Sequence, residues 1–458
     1  MTEKLILFKL IFILFLDLIS FTLILPLFPS ILEYYSNLQQ QNNEKTKEEE
    51  DILFKLLLKL CNYIQLNLNI PINNRYNNVF FGGILGSLFS FLQFISSPIF
   101  GFFSDHYGRK PLLLFSIFGS LISYWVWSIS ENSFSLFFLS RFIGGLSKAS
   151  ISLAITIITD ILPNEKRGKG MALIGICFSF SFIIGPSIGA YLTLNEQNNK
   201  EQFNYKPAQL AIYLTLIEII ILLLFLPETL NKKINKNNNF LISFWTLINP
   251  KINSIINNSN KLLNLISIIY FIFLLLFSSL EFTLGFLTHI RFNYNSKQQG
   301  KLYLISGIFM ILIQGLFIRQ LPTSSNTQSK LALFGLITII PGYLFMAFAN
   351  SEYLLFIGIL FYSISSATVV PSLTALFSIN CEQTQRGGYL GVFRSVGALA
   401  RAFGPLLGST LFWLFGPKLS YSFGAICLLF PLFIFIKLRV NSKWDYKENK
   451  IEKIKKEN

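Results

Sequence analysis

Charge is what this sequence has least of. Asp, Glu, Lys and Arg make up 13% of it, about half of the roughly 25% usual in soluble domains. With two histidines there is no His-rich cluster and no metal-ligand spacing. Neither a Gly-x-Ser-x-Gly elbow nor a phosphate-cradling glycine loop occurs. These absences argue against a metal centre, a hydrolytic enzyme and an ATP-driven machine, so neither a cofactor nor a metal is expected. Four cysteines supply no disulfide framework. Cys177 and Cys427 lie in apolar runs, Cys61 and Cys381 in connecting segments.

What the chain does have is long apolar runs. Of 458 residues, 52% are hydrophobic and 16% aromatic, and the mean hydropathy is +0.54. That value over this length requires repeated membrane spans rather than one anchor. The net charge of +15 does not point to nucleic acid. Its Lys and Arg residues sit between apolar runs and in the tail, the pattern of cytoplasmic membrane flanks. The first stretch resembles a signal peptide in outline, but it is too long, carries Asp17 and has no small-x-small cleavage site. It reads as the first span.

Twelve apolar segments reach spanning length, near 5–31, 79–103, 111–130, 134–160, 170–194, 208–227, 263–289, 300–319, 331–349, 352–378, 387–415 and 418–438. Backbone groups in lipid must bond within their own segment, so these are helices. The even-numbered loops are the richer in Lys and Arg, which puts them and both termini on the cytoplasmic side. The long first loop holds Asp51–Asn69, too short and too lysine-interrupted to span, and fits an amphipathic helix on the outer membrane surface.

Two features divide the chain. An Asn- and Lys-rich linker, 231–262, separates six spans in 1–230 (with an outer loop at 34–78) from six in 263–440, and a basic tail follows at 441–458. Arg167-Gly168 and Gly185-Pro186 recur as Arg386-Gly387 and Gly404-Pro405, with the same 17-residue interval from glycine to glycine and Gly189 and Gly408 following. Spans 5 and 11 therefore read as equivalent helices of a duplicated unit. In each, proline removes a helical hydrogen bond and glycine allows a neighbour to approach closely.

The ionisable residues inside spans are the candidate site, because a central charge costs about 2.5–3.5 kcal/mol on insertion scales. Asp17, Glu218 and Glu281 are the candidate proton-coupling carboxylates, and Arg141, Lys148, Arg394 and Arg401 the candidate substrate-binding cations. Arg141 and Lys148 are seven residues apart, as are Arg394 and Arg401, which predicts one helix face for each pair. Four cations against three carboxylates leave a positive excess suited to an anionic substrate. The same residues also suit helix-to-helix neutralisation, with Lys148 pairing Asp17.

Between spans 2 and 3 lies Gly101–Lys110, GFFSDHYGRK. Gly108 suits a tight turn, Asp105 can neutralise a helix N-terminus, and Arg109 can pair with a carboxylate, for which Asp160 at the end of span 4 is on the same face. The same charges also suit a plain topological turn. The Gly-x-x-x-Asp-x-x-Gly-Arg-Lys pattern resembles the signature loop of the major facilitator superfamily, with His106 at a usual Arg position. The resemblance implies that Gly101, Asp105, Gly108, Arg109, Lys110 and Asp160 form a gating latch between two halves. Gly185-Pro186-Ser187-Ile188-Gly189 resembles the superfamily's antiporter motif, with Ser181 where that motif prefers Gly.

The stretches LDLISFTLILPLFP, SRFIGGLSKASISLA, SSLEFTLGFLTHIRF and RGGYLGVFRSVGALARAFGP extend the resemblance to the eukaryotic tetracycline-transporter-like organic anion transporter group, of drug:proton antiporter type. This implies an all-α, twelve-helix carrier in two pseudo-symmetric halves that moves organic anions by alternating access with proton coupling. A facilitated uniporter and a transport-inactive receptor or scaffold are the alternatives. The expected partners are a small organic substrate, protons and the bilayer, with a monomer favoured.

Overall fold

The structure, a computed structural model, describes residues 3–45, 51–67, 74–193, 205–230, 261–314, 318, 324–380 and 386–442. Most of the linker at 231–260, the tail at 443–458 and Cys381 lie outside them. The secondary structure of these residues is entirely helical: α1 Glu3–Thr22, α2 Phe28–Lys45, α3 Ile52–Asn67, α4 Asn74–Tyr107, α5 Arg109–Ser128, α6 Phe134–Ser147, α7 Ser150–Ile161, α8 Asn164–Leu192, α9 Lys206–Phe225, α10 Lys261–Phe292, α11 Ser296–Leu312, α12 Ser325–Ala347, α13 Glu352–Asn380 and α14 Arg386–Ser442.

Ten helices among the described residues are long and apolar enough to cross a membrane. One of them, Phe393–Val440, runs 48 residues and contains the non-helical Gly416 at φ 74°, so it supplies two spans. Helix α11, at 17 residues, covers most of predicted span 8. Twelve spans are consistent with this count. Large apolar side chains remain exposed along α9 and the end of α14, among them Leu224, Phe225, Phe430 and Phe433. Such a surface fits hydrocarbon rather than water.

Two boundaries differ from the sequence reading, and one expected helix is present. The first span continues through a 3-10 turn at Leu25–Leu27, seeded by Pro26, into α2, so part of the expected outer loop is helical. Predicted span 4 is broken into α6 and α7 at Lys148, whose ψ is 71°. The amphipathic segment is helical, as α3.

The helices gather into two compact units. The first comprises the described residues of Met1–Phe244, Glu281–Ile305 and Pro405–Leu414. In it α1 packs on α8 and α9, α5 on α6 and α9, and α4 on α6. Its buried centre includes Leu14, Leu18, Ile117, Leu153, Ile157, Ile174 and Leu222. The second comprises Trp245–Leu280, Ser306–Gly404 and Phe415–Asn458 where described, with α12 packed along α13.

Candidate functional site

The first unit buries a polar cluster among apolar helices. Asp17 of α1 is 1% exposed and Lys148 is 3% exposed. Lys148 Nζ donates to Asp17 Oδ1 at 2.5 Å, and Ser150 Oγ donates to Asp17 Oδ2 at 2.5 Å. The break between α6 and α7 explains this placement. At Lys148 the backbone leaves the helix, so the seven-residue spacing no longer puts it on the Arg141 face. Lys148 instead swings onto α1, where it also meets the Asp17 carbonyl at 3.3 Å and the Phe21 ring at 5.2 Å.

Arg141 remains behind on α6. Its guanidinium lies 5.5 Å from the Trp127 ring and 5.6 Å from Phe137, and Nε donates to Ser140 Oγ at 3.3 Å. Its Nη2 is buried with no hydrogen-bond partner among the described residues, as is Trp127 Nε1. Glu218 of α9 is fully buried, and both carboxylate oxygens are likewise unpartnered. Tyr124 lies within electrostatic reach of Asp17, Arg141 and Glu218. Arginine keeps its charge even where it is buried. This cluster therefore holds the Asp17–Lys148 ion pair and, around Tyr124, the Arg141 guanidinium and the Glu218 carboxyl group.

Glu281, in α10, also belongs to the first unit, within electrostatic reach of Tyr303. Nearby, His289 Nε2 lies 2.8 Å from Glu33 Oε2 and its Nδ1 lies 3.0 Å from the Tyr294 carbonyl.

Arg394 and Arg401 belong to the second unit, where both lie within electrostatic reach of Tyr270. Neither has an ion-pair partner among the described residues, and Arg401 is exposed. Tyr270 stacks on Phe393 at 4.1 Å, and Phe393 on Phe377 at 4.3 Å. All three rings are buried, so the group left open to a solute here is the guanidinium of Arg401, which can pair with a carboxylate.

The loop Gly101–Lys110 is built as a knot of charge. Arg109 Nε donates to Asp160 Oδ2 at 2.8 Å and Nη1 to Ser104 Oγ at 2.6 Å, and Arg109 also pairs with Asp105. Gly108, at φ 113°, makes the turn. A Cβ at Gly101 meets nothing within 4 Å. The acid at the N-terminus of α5 is Glu228, not Asp105, because Asp105 is engaged by Arg109. Glu228 accepts from the N–H groups of Arg109 at 2.9 Å, Lys110 at 3.2 Å, Thr229 at 2.9 Å and Leu230 at 3.0 Å. Burial pulls its carboxyl upward, but those N–H groups outweigh it and hold the group below its ordinary value. Lys110 Nζ reaches the Leu223 carbonyl at 2.8 Å. Sequence reasoning missed Glu228, although an acid directly after an apolar run on this face was the available signal. It also missed Ser150 and Tyr124.

The repeated glycines make matching contacts. A Cβ at Gly185 would lie 1.9 Å from Thr22 Oγ1 and 3.1 Å from the Ile19 carbonyl. In the second unit a Cβ at Gly404 would lie 1.9 Å from Ser278 Oγ and 2.8 Å from the Leu275 carbonyl. In both units a hydroxyl residue and the carbonyl three residues before it press on the glycine. A Cβ at Gly189 would lie 2.2 Å from the Leu23 carbonyl oxygen. Pro186 lies inside α8, and Pro405 and Gly408 are buried in α14.

Residues 10–405 match the family model described as Major Facilitator Superfamily. A human relative, Major facilitator superfamily domain-containing protein 10, is 34% identical over 444 residues, covering 93% of this chain and 91% of its own. The tetracycline resistance protein, class B, of Escherichia coli is 24% identical over 330 residues, covering 72% and 78%. Among solved structures, that of the human organic anion transporter MFSD10 (TETRAN) superposes with a TM-score of 0.74 at 32% identity, covering 94% of this chain and 99% of that one.

Proposed function

The chain belongs to the Major Facilitator Superfamily, and from that premise we propose that it carries small organic anions across a membrane by alternating access, with protons as the coupling ion. In this reading 1–230 and 263–440 are the two six-helix halves, both termini face the cytoplasm and the working unit is a monomer. The substrate class follows from the similar solved structure, that of a human organic anion transporter, and from the cations Arg394 and Arg401. The resemblance of the chain's sequence motifs to drug:proton antiporters favours proton antiport.

One observation carries the coupling, namely the Asp17–Lys148 pair inside the span. Protonating Asp17 removes the partner of a buried ammonium, so the energy of the site depends on whether a proton is bound. Glu218, within electrostatic reach of both residues, supplies a second carboxyl in the same protein interior. The Arg109 knot serves as the latch that stabilises one of the alternating states.

The test is uptake of a labelled aromatic carboxylate into proteoliposomes under an imposed pH gradient, for the wild type, Asp17→Asn and Arg401→Ala. Gradient-driven uptake lost in both folded variants supports the reading. The gradient polarity that drives uptake identifies antiport or co-transport. Full activity in both variants removes these residues from the site. No uptake of any anion in the wild type favours a receptor or another substrate.

A further inference from the structure

Helix α3 is held against α4 and α6 of its own unit by a shared carboxylate and a buried ring. Asp51 caps it by accepting from the N–H groups of Leu53 and Phe54, each at 3.2 Å. The same carboxylate caps α6, accepting from Ser135 N at 2.7 Å, Ser135 Oγ at 2.6 Å and Ser133 Oγ at 2.9 Å. One side chain thus serves two helix N-termini, where orphan N–H groups and the helix dipole both favour an anion. Phe54, 2% exposed, sits edge-on to Phe81 at 5.4 Å and Phe134 at 5.2 Å. Cys61, two turns on, is fully buried.

With one face fixed this way, the rest of α3 is a surface of opposite character. Ile52, Leu56 and Tyr63 are 81%, 61% and 68% exposed, and their spacing puts them on one stripe. Under the edge of that stripe lies a groove of about 470 Å³, lined by Ile52, Leu53, Leu56, Leu57, Ile84, Ser135 and Phe138. Its size falls within the range of ordinary ligand sites. Ser135, the lone polar residue lining it, already gives its hydroxyl to Asp51, so the groove offers an occupant nothing polar. Phe138 lies within the first turns of the span Phe134–Ile161 and Ile84 near one end of the span Tyr76–Tyr107. The groove is therefore at a membrane boundary. Beyond it on α6 the exposed Leu139, Phe142 and Leu146 continue an apolar surface along the span. On the other flank of the α3 stripe stand the exposed Lys55 and Lys59, one turn apart.

We propose that this groove is a binding site for one acyl chain of an anionic phospholipid, whose phosphate lies against Lys59 and Lys55. The charge complementarity selects the lipid class. The apolar lining, open to the lipid-facing surface of α6, selects the chain. The rigid docking of α3 by Asp51 and Phe54 makes the site preformed, and the proposal is independent of what the protein transports.

Native mass spectrometry of the full chain in detergent, titrated with dioleoylphosphatidylglycerol or dioleoylphosphatidylcholine, tests it. The wild type should retain phosphatidylglycerol in preference. The Lys55→Gln/Lys59→Gln variant should lower that preference about tenfold or more, given two lysines beside one phosphate. Ile84→Trp, which fills the groove, should lose the bound lipid of either kind. Leu57→Trp gives the same reading from outside the spans if Ile84→Trp does not fold. No headgroup preference in the wild type, or unchanged lipid retention in a folded tryptophan variant, overturns the proposal. A change from dimer to monomer in those variants without lipid loss also overturns it and makes the groove a contact between copies.

Discussion

Replacing Asp17 with asparagine tests whether the buried pair is a single energetic unit. In the wild type, Lys148 Nζ has the Asp17 carboxylate at 2.5 Å as its sole ionic partner among the described residues, with the Asp17 carbonyl at 3.3 Å and the Phe21 ring at 5.2 Å beyond it. Both side chains are almost wholly inaccessible, so solvent screening does not soften the loss. Removing one member of such a pair costs about 3–5 kcal/mol, because the other charge stays buried. The residual carbonyl and ring contacts of Lys148 place Asp17→Asn at the lower end of that range. At about 2 °C per kcal/mol, the scale for larger domains, the midpoint of thermal unfolding should fall by roughly 5 °C. Asp17→Asn/Lys148→Met removes both charges and keeps the volume, so it should recover most of the loss and unfold within a few degrees of the wild type. Thermal unfolding in detergent followed by tryptophan fluorescence, with all four members of the cycle, gives the coupling energy. A double variant no better than the worse single one, or an Asp17→Asn protein as stable as the wild type, would refute the argument that the pair is coupled.

Three further outcomes follow from the same geometry. Glu228→Gln removes the charge that four backbone N–H groups share, so it should loosen the α5 terminus and speed amide exchange at Arg109 and Lys110; unchanged exchange there counts against the cap. Asp51 behaves alike: burial raises its carboxyl, but its bonds from Ser135, Phe54 and Ser133 bring it below its ordinary value. A depressed carboxyl stabilises above its unfolded pKa, about 3.9, and loses that contribution as pH falls through the folded value. Wild-type stability should therefore drop toward acid more steeply than that of Asp51→Asn, and parallel pH profiles would contradict this. Gly185→Ala and Gly404→Ala should each lower the unfolding midpoint. Thr22→Ala and Ser278→Ala should rescue them in part, because a backbone carbonyl near 3 Å still faces each new methyl; no rescue in either would mean the hydroxyl is not the obstacle.

Much of this molecule was legible in its residues. The spans follow from hydropathy, since lipid leaves a backbone no partner except itself. The signature loop predicted the Arg109–Asp160 bond because the charged residues of two adjoining loops emerge on one membrane face. The glycine interval predicted equivalence between α8 and α14, and the contacts at Gly185 and Gly404 repeat nearly atom for atom. Glu228 was harder to see, since its partners are backbone N–H groups that every residue carries and no side-chain pattern marks. The Arg141–Lys148 face was misread because a heptad is meaningful only along an unbroken helix, and the break at Lys148 is a property of its φ and ψ.

The sequence by itself determined that this chain spans a membrane many times, which loop carries the charge knot and where the repeated glycine interval lies. These are decided by one-dimensional pattern, because insertion into lipid acts on each segment's hydrophobicity and tight turns and close packing act on residue type. Only the tertiary structure decided that Lys148 belongs to Asp17, that Arg141 Nη2 and the Glu218 carboxyl oxygens have no hydrogen-bond partner among the described residues, and that Asp51 holds α3 so as to leave an apolar groove. Those outcomes depend on which side chains from distant segments arrive within a few ångströms of one another. Charge attraction falls off too gradually with distance to choose one partner over another; packing chooses it.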